Sequence, residues 1–338
     1  MSKKYRVSVY SHITVSSVSE FAPVFADYFV CNTPRQVVDR FVNKYSSLFL
    51  GLVRFDVSNY DSSRVLLTGY IHNGVFCDYD PRVIHVVQLS GGKDSQAVAK
   101  LIRSKYPSSR IIALFSDTGF EHPLTYEHVR YCADLYDLEL VTLSAGTVPE
   151  QVEKWKRFPG GGARHCTQYL KIEPAKKYLI DLAENNKGFS IVSYLGVRSD
   201  ESQERGRRYG SFDDQLYMPH EVMPSKYPKY MGEKLGIRYS LPIVDWTRGD
   251  VFEYLQGEHN PLYDAGFDRV GCFPCLAGGD KAKNLAFSFD GVGAKHYRIA
   301  KELEKITVAA GNKPLFSTKI GKDFDSELAG SGCSFCAM

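Results

Sequence analysis

Residues 90–95 read Ser-Gly-Gly-Lys-Asp-Ser and concentrate anion-binding chemistry in six consecutive positions of a 338-residue chain. Gly91 and Gly92 let the backbone approach a ligand closely. The amides at a helix start, with the helix dipole behind them, attract phosphate. Lys93 adds a point charge, the hydroxyls of Ser90 and Ser95 can donate, and Asp94 offers a carboxylate to Mg2+. The spacing is not that of the Walker loop, which needs a longer gap before its Gly-Lys-Ser/Thr.

Three more stretches place reactive groups near strand or helix ends. "SDTGFEHPLT" puts Asp117 at the carboxyl end of an apolar run, where ligands collect in open α/β sheets. "RHCTQYLKIEP" sets Cys166 between Arg164 and Lys171, cations that would favour its thiolate. Cys166 is then a sulfur carrier, a nucleophile or a substitute cluster ligand, against the alternative of a packed helix residue. "GVRSDESQERGRR" concentrates Arg198, Glu201 and Arg205 just after a strand. Of the eight cysteines, Cys272 with Cys275 and Cys333 with Cys336 form two C-x-x-C pairs. Together they supply four thiolates, a set suited to tetrahedral Zn2+ or an iron–sulfur cluster. Cys31, Cys77 and Cys132 read as small buried hydrophobes.

These groups need a scaffold, and the pattern for one begins near Pro81. "VIHVVQL", "RIIALFSD", "LELVTL" and "FSIVSYLGV" are apolar, β-branched runs separated by helical periodicities. The alternation predicts an α/β fold, a mostly parallel five-stranded sheet with helices on both faces. Residues 81–261 form this nucleotide-binding part. Residues 1–80 read as a small α+β domain: strands in "YRVSVYSHITV" and "RVLLTGYIHNGVF", with "PRQVVDRFVNKYSSLFLGL" helical between them. Residues 262–338 read as a Cys-rich metal-binding region of loops with one helix, "AKHYRIAKELEKITVAAG". Thr247 or Asp245 would cap a helix with Asp250 in its first turn.

A net charge of +3 neither requires nor excludes nucleic acid. "PSKYPKYMGEKLGIRY" interleaves Lys, Arg and Tyr, a composition able to contact phosphates and bases, but an ordinary solvated insertion is the simpler reading. No run suits a signal peptide or a membrane span, so a cytoplasmic location without membrane contact is expected.

Taken in order, the Ser90–Ser95 loop, the Asp117 segment, the Arg164–Pro174 segment and the Arg198–Arg205 segment resemble the phosphoadenosine phosphosulfate (PAPS) reductase family. This family lies within the adenine nucleotide alpha-hydrolase, or PP-loop, superfamily, and the resemblance covers roughly residues 83–277. It implies that Ser90, Gly91, Gly92, Lys93, Asp94 and Ser95 hold phosphates, that Asp117 and Arg164 lie near the nucleotide, and that Arg198 and Arg205 meet the phosphates or the activated group. It favours a [4Fe-4S] cluster over zinc at the cysteine pairs. Two departures separate the chain from sulfate-assimilation reductases. The Glu-Cys-Gly-(Ile/Leu)-His element is missing, and "HCT" has one cysteine where cluster-bearing reductases have two in a row. The pattern is closer to the ATP pyrophosphatases of DNA phosphorothioation. The expected activity is adenylation of an acceptor by ATP with release of pyrophosphate, in sulfur-transfer chemistry. The acceptor would be a nucleic acid or a protein, a sulfur donor protein would take part, and oligomers are allowed. The alternatives are a sulfonucleotide (APS/PAPS) reductase and a non-catalytic nucleotide-binding accessory protein of a defence or mobile-element system.

Overall fold

The computed structural model describes residues 2–316 apart from 16, 17, 50, 63, 73, 78, 79, 108 and 161–163. Cys333 and Cys336, half of the expected four-thiolate set, lie outside the described residues. The chain divides into two units, residues 1–83 with 186–190, and residues 84–185 with 191–338.

The first unit is an antiparallel sheet of β1 (Lys3–Val15), β2 (Val18–Cys31), β3 (Leu52–Asn59), β4 (Val65–His72) and β5 (Val75–Cys77), in the order β2-β1-β3-β4-β5. Strand alternation sends Tyr5, Val7, Val9, Val53, Phe55 and Val57 to one face. There they meet Val37, Val38 and Phe41 of helix α1 (Pro34–Tyr45), which Thr33 caps by accepting the Gln36 N–H. The helix is shorter than the apolar periodicity predicts. The chain leaves it at Tyr45, passes a 3-10 turn at Ser46–Leu48, and enters β3 at Leu52. Strand β2 was also missed, because Pro23 reads as a strand breaker. It is tolerated on this edge strand next to the register shift at Val9/Tyr10.

The second unit is built on β6 (Val83–Gln88), β7 (Ile111–Asp117), β8 (Glu139–Ser144), β9 (Ser190–Tyr194) and β10 (Ile237–Ser240), ordered β10-β9-β6-β7-β8. The pairs β10/β9, β6/β7 and β7/β8 run parallel. On one face Ile84, Val86, Ile112 and Leu114 pack with Ala175, Leu179 and Ala183 of the helix Glu173–Asn185. The alternate residues His85, Val87, Ala113 and Phe115 are equally buried. On that side Phe115 meets Tyr126 of α3 (Pro123–Leu135) edge-on at 5.8 Å, and Tyr106, which ends α2 (Lys93–Lys105), stacks on His85 at 4.1 Å. The chain builds β6 to β8 outward, then returns to lay β9 on the other side of β6. This reversal makes a switch point between β6 and β9, whose carboxyl ends open the crevice where such folds bind ligands.

Helix α4 (Val148–Trp155) follows β8 and is closed by a Thr147/Glu150 capping box. Thr247 caps the helix Arg248–Leu255 reciprocally with Asp250, as its sequence predicts. Among the described residues past 262 there are two helices rather than one, Asp280–Phe289 and Gly291–Ala309. The break falls at Asp290, whose carboxylate accepts the Gly293 N–H and starts the second helix. Among the described residues, no helix is long and apolar enough to cross a membrane. The Lys/Tyr-rich stretch 224–239 is exposed at Pro224, Ser225, Pro228, Lys229 and Tyr230 and anchored between and beyond these positions. Tyr227, Met231 and Tyr239 lie in the core of the unit.

Candidate functional site

The loop from Leu89 to Gly92 leaves β6 and enters α2 at Lys93. Gly91 has φ of +76°, and a Cβ there would stand 2.7 Å from the Thr125 methyl, so this position needs glycine on both counts. The two serines brace the loop from within. Ser95 Oγ accepts the Ser90 N–H at 3.0 Å and donates to the Gly92 carbonyl at 2.9 Å, with Ser90 Oγ 3.1 Å away. Helix geometry leaves the Asp94 and Ser95 amides without an acceptor inside α2. They point out of the helix at the switch point.

Lys93 is only 4% exposed, and its Nζ donates to Asp94 Oδ2 at 2.8 Å. Burial pulls its pKa down, opposed by the adjacent Asp94 carboxylate. The other Asp94 oxygen accepts from Arg198 Nε at 2.6 Å. Arg198 sits just beyond β9, 2% exposed, and also reaches Asp200 and the Trp246 carbonyl. Gly196 makes this approach possible, because a Cβ there would stand 2.8 Å from the Ser95 nitrogen and 2.9 Å from the Asp94 carbonyl carbon. Arg205 lies on the short helix Gln203–Tyr209, is 1% exposed and pairs with Glu201. The crevice therefore holds two buried cations, Lys93 and Arg198, bridged by one carboxylate. Both oxygens of Asp94 are taken by these cations.

The loop after β7 is organised separately. Asp117 Oδ1 accepts the Gly119 N–H at 2.9 Å and the Tyr126 hydroxyl at 2.7 Å. Buried Glu121 accepts from the Thr118 hydroxyl and from the Thr118 and Phe120 amides. An antiparallel bridge joins Glu121 to Cys272, and the Phe273 N–H donates to the Phe120 carbonyl. The first C-x-x-C pair is thereby held against this loop. The Cys272 sulfur is 3.3 Å from Thr118 Oγ1, and burial pushes its thiol up to about 12. Cys166 packs partly buried in the same apolar cluster as Cys272, among Phe120, Leu170 and Leu276. Arg164 opens the Cys166 helix, its carbonyl accepting the Gln168 N–H. Lys171 is buried in the π-helical turn Gln168–Ile172. Among the described residues, no three His, Cys, Asp or Glu side chains are grouped to hold a metal ion.

Sequence reasoning missed Asn260 and Tyr263. Asn260 is fully buried and donates from Nδ2 to the Gly91 carbonyl at 3.1 Å. The Tyr263 hydroxyl accepts the Lys93 N–H at 3.0 Å, and its ring lies 5.6 Å from Lys93 Nζ. Gln96 Nε2 donates to the Glu258 carbonyl at 2.7 Å, tying the same segment to α2. "EHNPLY" carries no pattern of its own that would mark it as a partner of a loop so far away.

A parallel α/β sheet with a glycine-rich anion loop and two buried cations at its switch point defines a nucleotide-binding class of fold. The family model of the phosphoadenosine phosphosulfate reductase domain matches residues 84–277, more than half of the chain, and the chain belongs to that family. An uncharacterized protein of Methanocaldococcus jannaschii is 30% identical over 195 residues, 57% of this chain and 36% of the relative, so the chain spans little more than a third of that relative's length. The adenosine 5'-phosphosulfate reductase of Geobacillus kaustophilus is 24% identical over 59% of this chain and 75% of its own. The solved phosphoadenylyl-sulfate reductase of Candida auris, a phosphate complex, is 18% identical over 57% of this chain and 82% of its own, with a TM-score of 0.35.

Proposed function

We propose that the second unit is a PP-loop ATP pyrophosphatase that adenylates an acceptor and releases pyrophosphate, the first half of a sulfur-transfer reaction. The observation that carries the reading is the Lys93–Asp94–Arg198 bridge at the start of α2. Asp94 joins these two desolvated cations beside the helix N-terminus, with Asp200 also on Arg198, and a polyphosphate can take the place of these carboxylates.

In this reading an acceptor oxygen attacks the α-phosphorus of ATP. The bond from that phosphorus to the bridging oxygen breaks, and pyrophosphate leaves with the electron pair. Lys93, the first-turn amides and the Ser90 and Ser95 hydroxyls receive the leaving group. Arg198, released from Asp94, meets the α-phosphate, where charge develops. Arg205 acts behind it by fixing Glu201, whose charge also supports the protonated form of Lys93. Asp117, at the end of β7, faces the nucleoside. A sulfur nucleophile then displaces AMP, which carries away the acceptor oxygen. Cys166, in the cluster behind the Asp117 loop, is the described thiol proposed to act as carrier.

Two groups implied by the family, Mg2+ and a metal at the cysteine pairs, enter no step of this reading, and half of the expected thiolate set, Cys333 and Cys336, lies outside the described residues. Both Asp94 oxygens are held by Lys93 and Arg198 here, so Asp94 could take Mg2+ only after Arg198 has moved to the phosphate. Cys272 and Cys275 make no ligand group with other described side chains, so no step is drawn through a [4Fe-4S] cluster or zinc.

Pyrophosphate release from ATP with candidate acceptors, nucleic acid and protein, tests the reading. Wild type should release it, and Lys93→Ala should lose roughly two to three orders of magnitude, the scale of deleting one charge-stabilising donor. ATP bound without pyrophosphate release under every acceptor condition would refute the enzyme. Sulfite formed from adenylyl sulfate or its 3′-phosphate with a thiol donor would replace it with the reductase reading.

A further inference from the structure

The face of the antiparallel sheet that α1 does not cover carries a second chemistry, independent of the nucleotide site. Register puts Arg6 opposite both Tyr28 of β2 and Ser58 of β3, and Lys4 opposite Val30. Tyr60 follows β3, and its N–H donates to the Lys4 carbonyl. The Tyr28 and Tyr60 rings meet edge-on at 5.6 Å, and Lys4 Nζ lies 3.9 Å from the Tyr60 centroid and 5.2 Å from that of Tyr28. Both rings are half exposed, at 47% and 50%, and Lys4 and Arg6 are exposed beside them. Further along the face, the Arg54 guanidinium lies 4.7 Å from the Tyr10 ring.

The core of this unit does not need these rings. Its apolar cluster lies on the opposite face, around Phe41 and Phe55. Among the described residues paired on this face, the acid is Asp56, which is buried and neutralised by Arg54 and the Thr68 hydroxyl. What faces solvent is then aromatic and cationic, with no competing free carboxylate at these paired positions. Neighbouring exposed tyrosines stack on unpaired bases, and the cations beside them meet the phosphates that link the bases. Ser8 lies between Arg6 and Tyr10 on the same face, where its hydroxyl can meet a ribose 2′-hydroxyl.

We propose that this sheet face, through Tyr28, Tyr60, Lys4 and Arg6, binds single-stranded RNA. The test is fluorescence anisotropy of a labelled, unstructured RNA 12-mer with the full-length protein, beside the DNA of the same sequence. The pair Tyr28→Ala/Tyr60→Ala should weaken RNA binding roughly tenfold or more, while Tyr28→Phe/Tyr60→Phe retains it because stacking survives. Neutralising Lys4 and Arg6 should flatten the salt dependence, by roughly 0.7 in log–log slope for each phosphate no longer neutralised. ATP binding by the tyrosine variants should match wild type, and an unchanged circular-dichroism spectrum and urea midpoint show that the first unit has folded. Lack of RNA binding at about 10 μM, the middle of the range of ordinary non-specific binding, overturns the proposal. So does binding that the tyrosine changes leave intact, or that Lys93→Ala alone abolishes. DNA bound as tightly as RNA overturns the RNA assignment. Self-association or vesicle binding lost with the same substitutions, without RNA binding, assigns the face to a different partner and also overturns it.

Discussion

At the scale of single residues, the informative group is Asp94. The sequence offers it as a metal ligand, yet it holds Lys93 and Arg198 together. Replacing it with Asn removes the charge that lets two cations share a buried crevice. Breaking such a network costs about 3–5 kcal/mol, so Asp94→Asn should lower the thermal midpoint, and added ATP should restore part of the loss. An unchanged midpoint would mean that the bridge contributes nothing. Lys93 gives a pH signature of its own. Burial depresses its pKa below the ordinary 10.5, so between the folded-state value and 10.5 the unfolded chain binds more protons. Its contribution to stability therefore rises with pH across that window, while affinity for an anion falls. ATP affinity measured by calorimetry should decline at lower pH than an ordinary lysine would allow, and Lys93→Arg should shift the decline upward.

At the scale of elements, the site depends on how closely β9 passes α2. Gly196→Ala would drive a methyl into the Ser95 amide and the Asp94 carbonyl carbon, backbone atoms that cannot turn aside. Overpacking of this kind costs about 1–3 kcal/mol. Here the strain falls on the phosphate loop, so ATP affinity should drop by roughly five- to a hundredfold, that same energy range expressed as binding. Equilibrium dialysis checks this, and full affinity in the variant would contradict the packing argument. In the other unit, α1 is tied to β2 where Lys44 and Tyr45 both donate to Asp27. These hydrogen bonds, Lys44 first, pull Asp27 down from 3.8 to about 2. The contribution is present above 3.8 and is lost as pH falls through 2. Urea midpoints of wild type and Asp27→Asn should differ at neutral pH and converge near pH 2.

At the scale of the molecule, local and distant determinants separate clearly. The run Val83–Leu89, the Gly-Gly turn and the periodic helix behind them are contiguous, so the sheet and its anion loop were legible from residue order alone. Arg198 was legible as a residue just past a strand end, but its bridge to Asp94 was not, since β9 adjoins β6 only after the chain has made β7 and β8. Arg205 illustrates the limit differently. "ERGRR" has the composition of a solvated surface, and burial of its first arginine is decided by pairing with Glu201 and by the packing of Tyr209. In the first unit, β2 was concealed by Pro23, whose edge position no local pattern reveals. A ligand that binds only the folded crevice should stabilise the chain by mass action, about 2.7 kcal/mol at a hundred times its Kd. ATP should accordingly raise the melting temperature of wild type and leave that of Lys93→Ala unchanged.

The contacts from Asn260 and Tyr263 bear on how this protein comes into being. They reach back 169 and 170 residues to fasten the phosphate loop. At a synthesis rate of roughly 5–20 residues per second, the loop leaves the ribosome some 8–35 seconds before its fasteners do. Its glycines and serines are in place early, and the grip on Gly91 and Lys93 comes late. A nascent chain arrested before residue 260 should fail to retain ATP, and one released beyond the Gly291–Ala309 helix should retain it. Competence to take a nucleotide is then acquired only once residue 263 has been made, so shorter nascent chains would not draw on the cell's ATP.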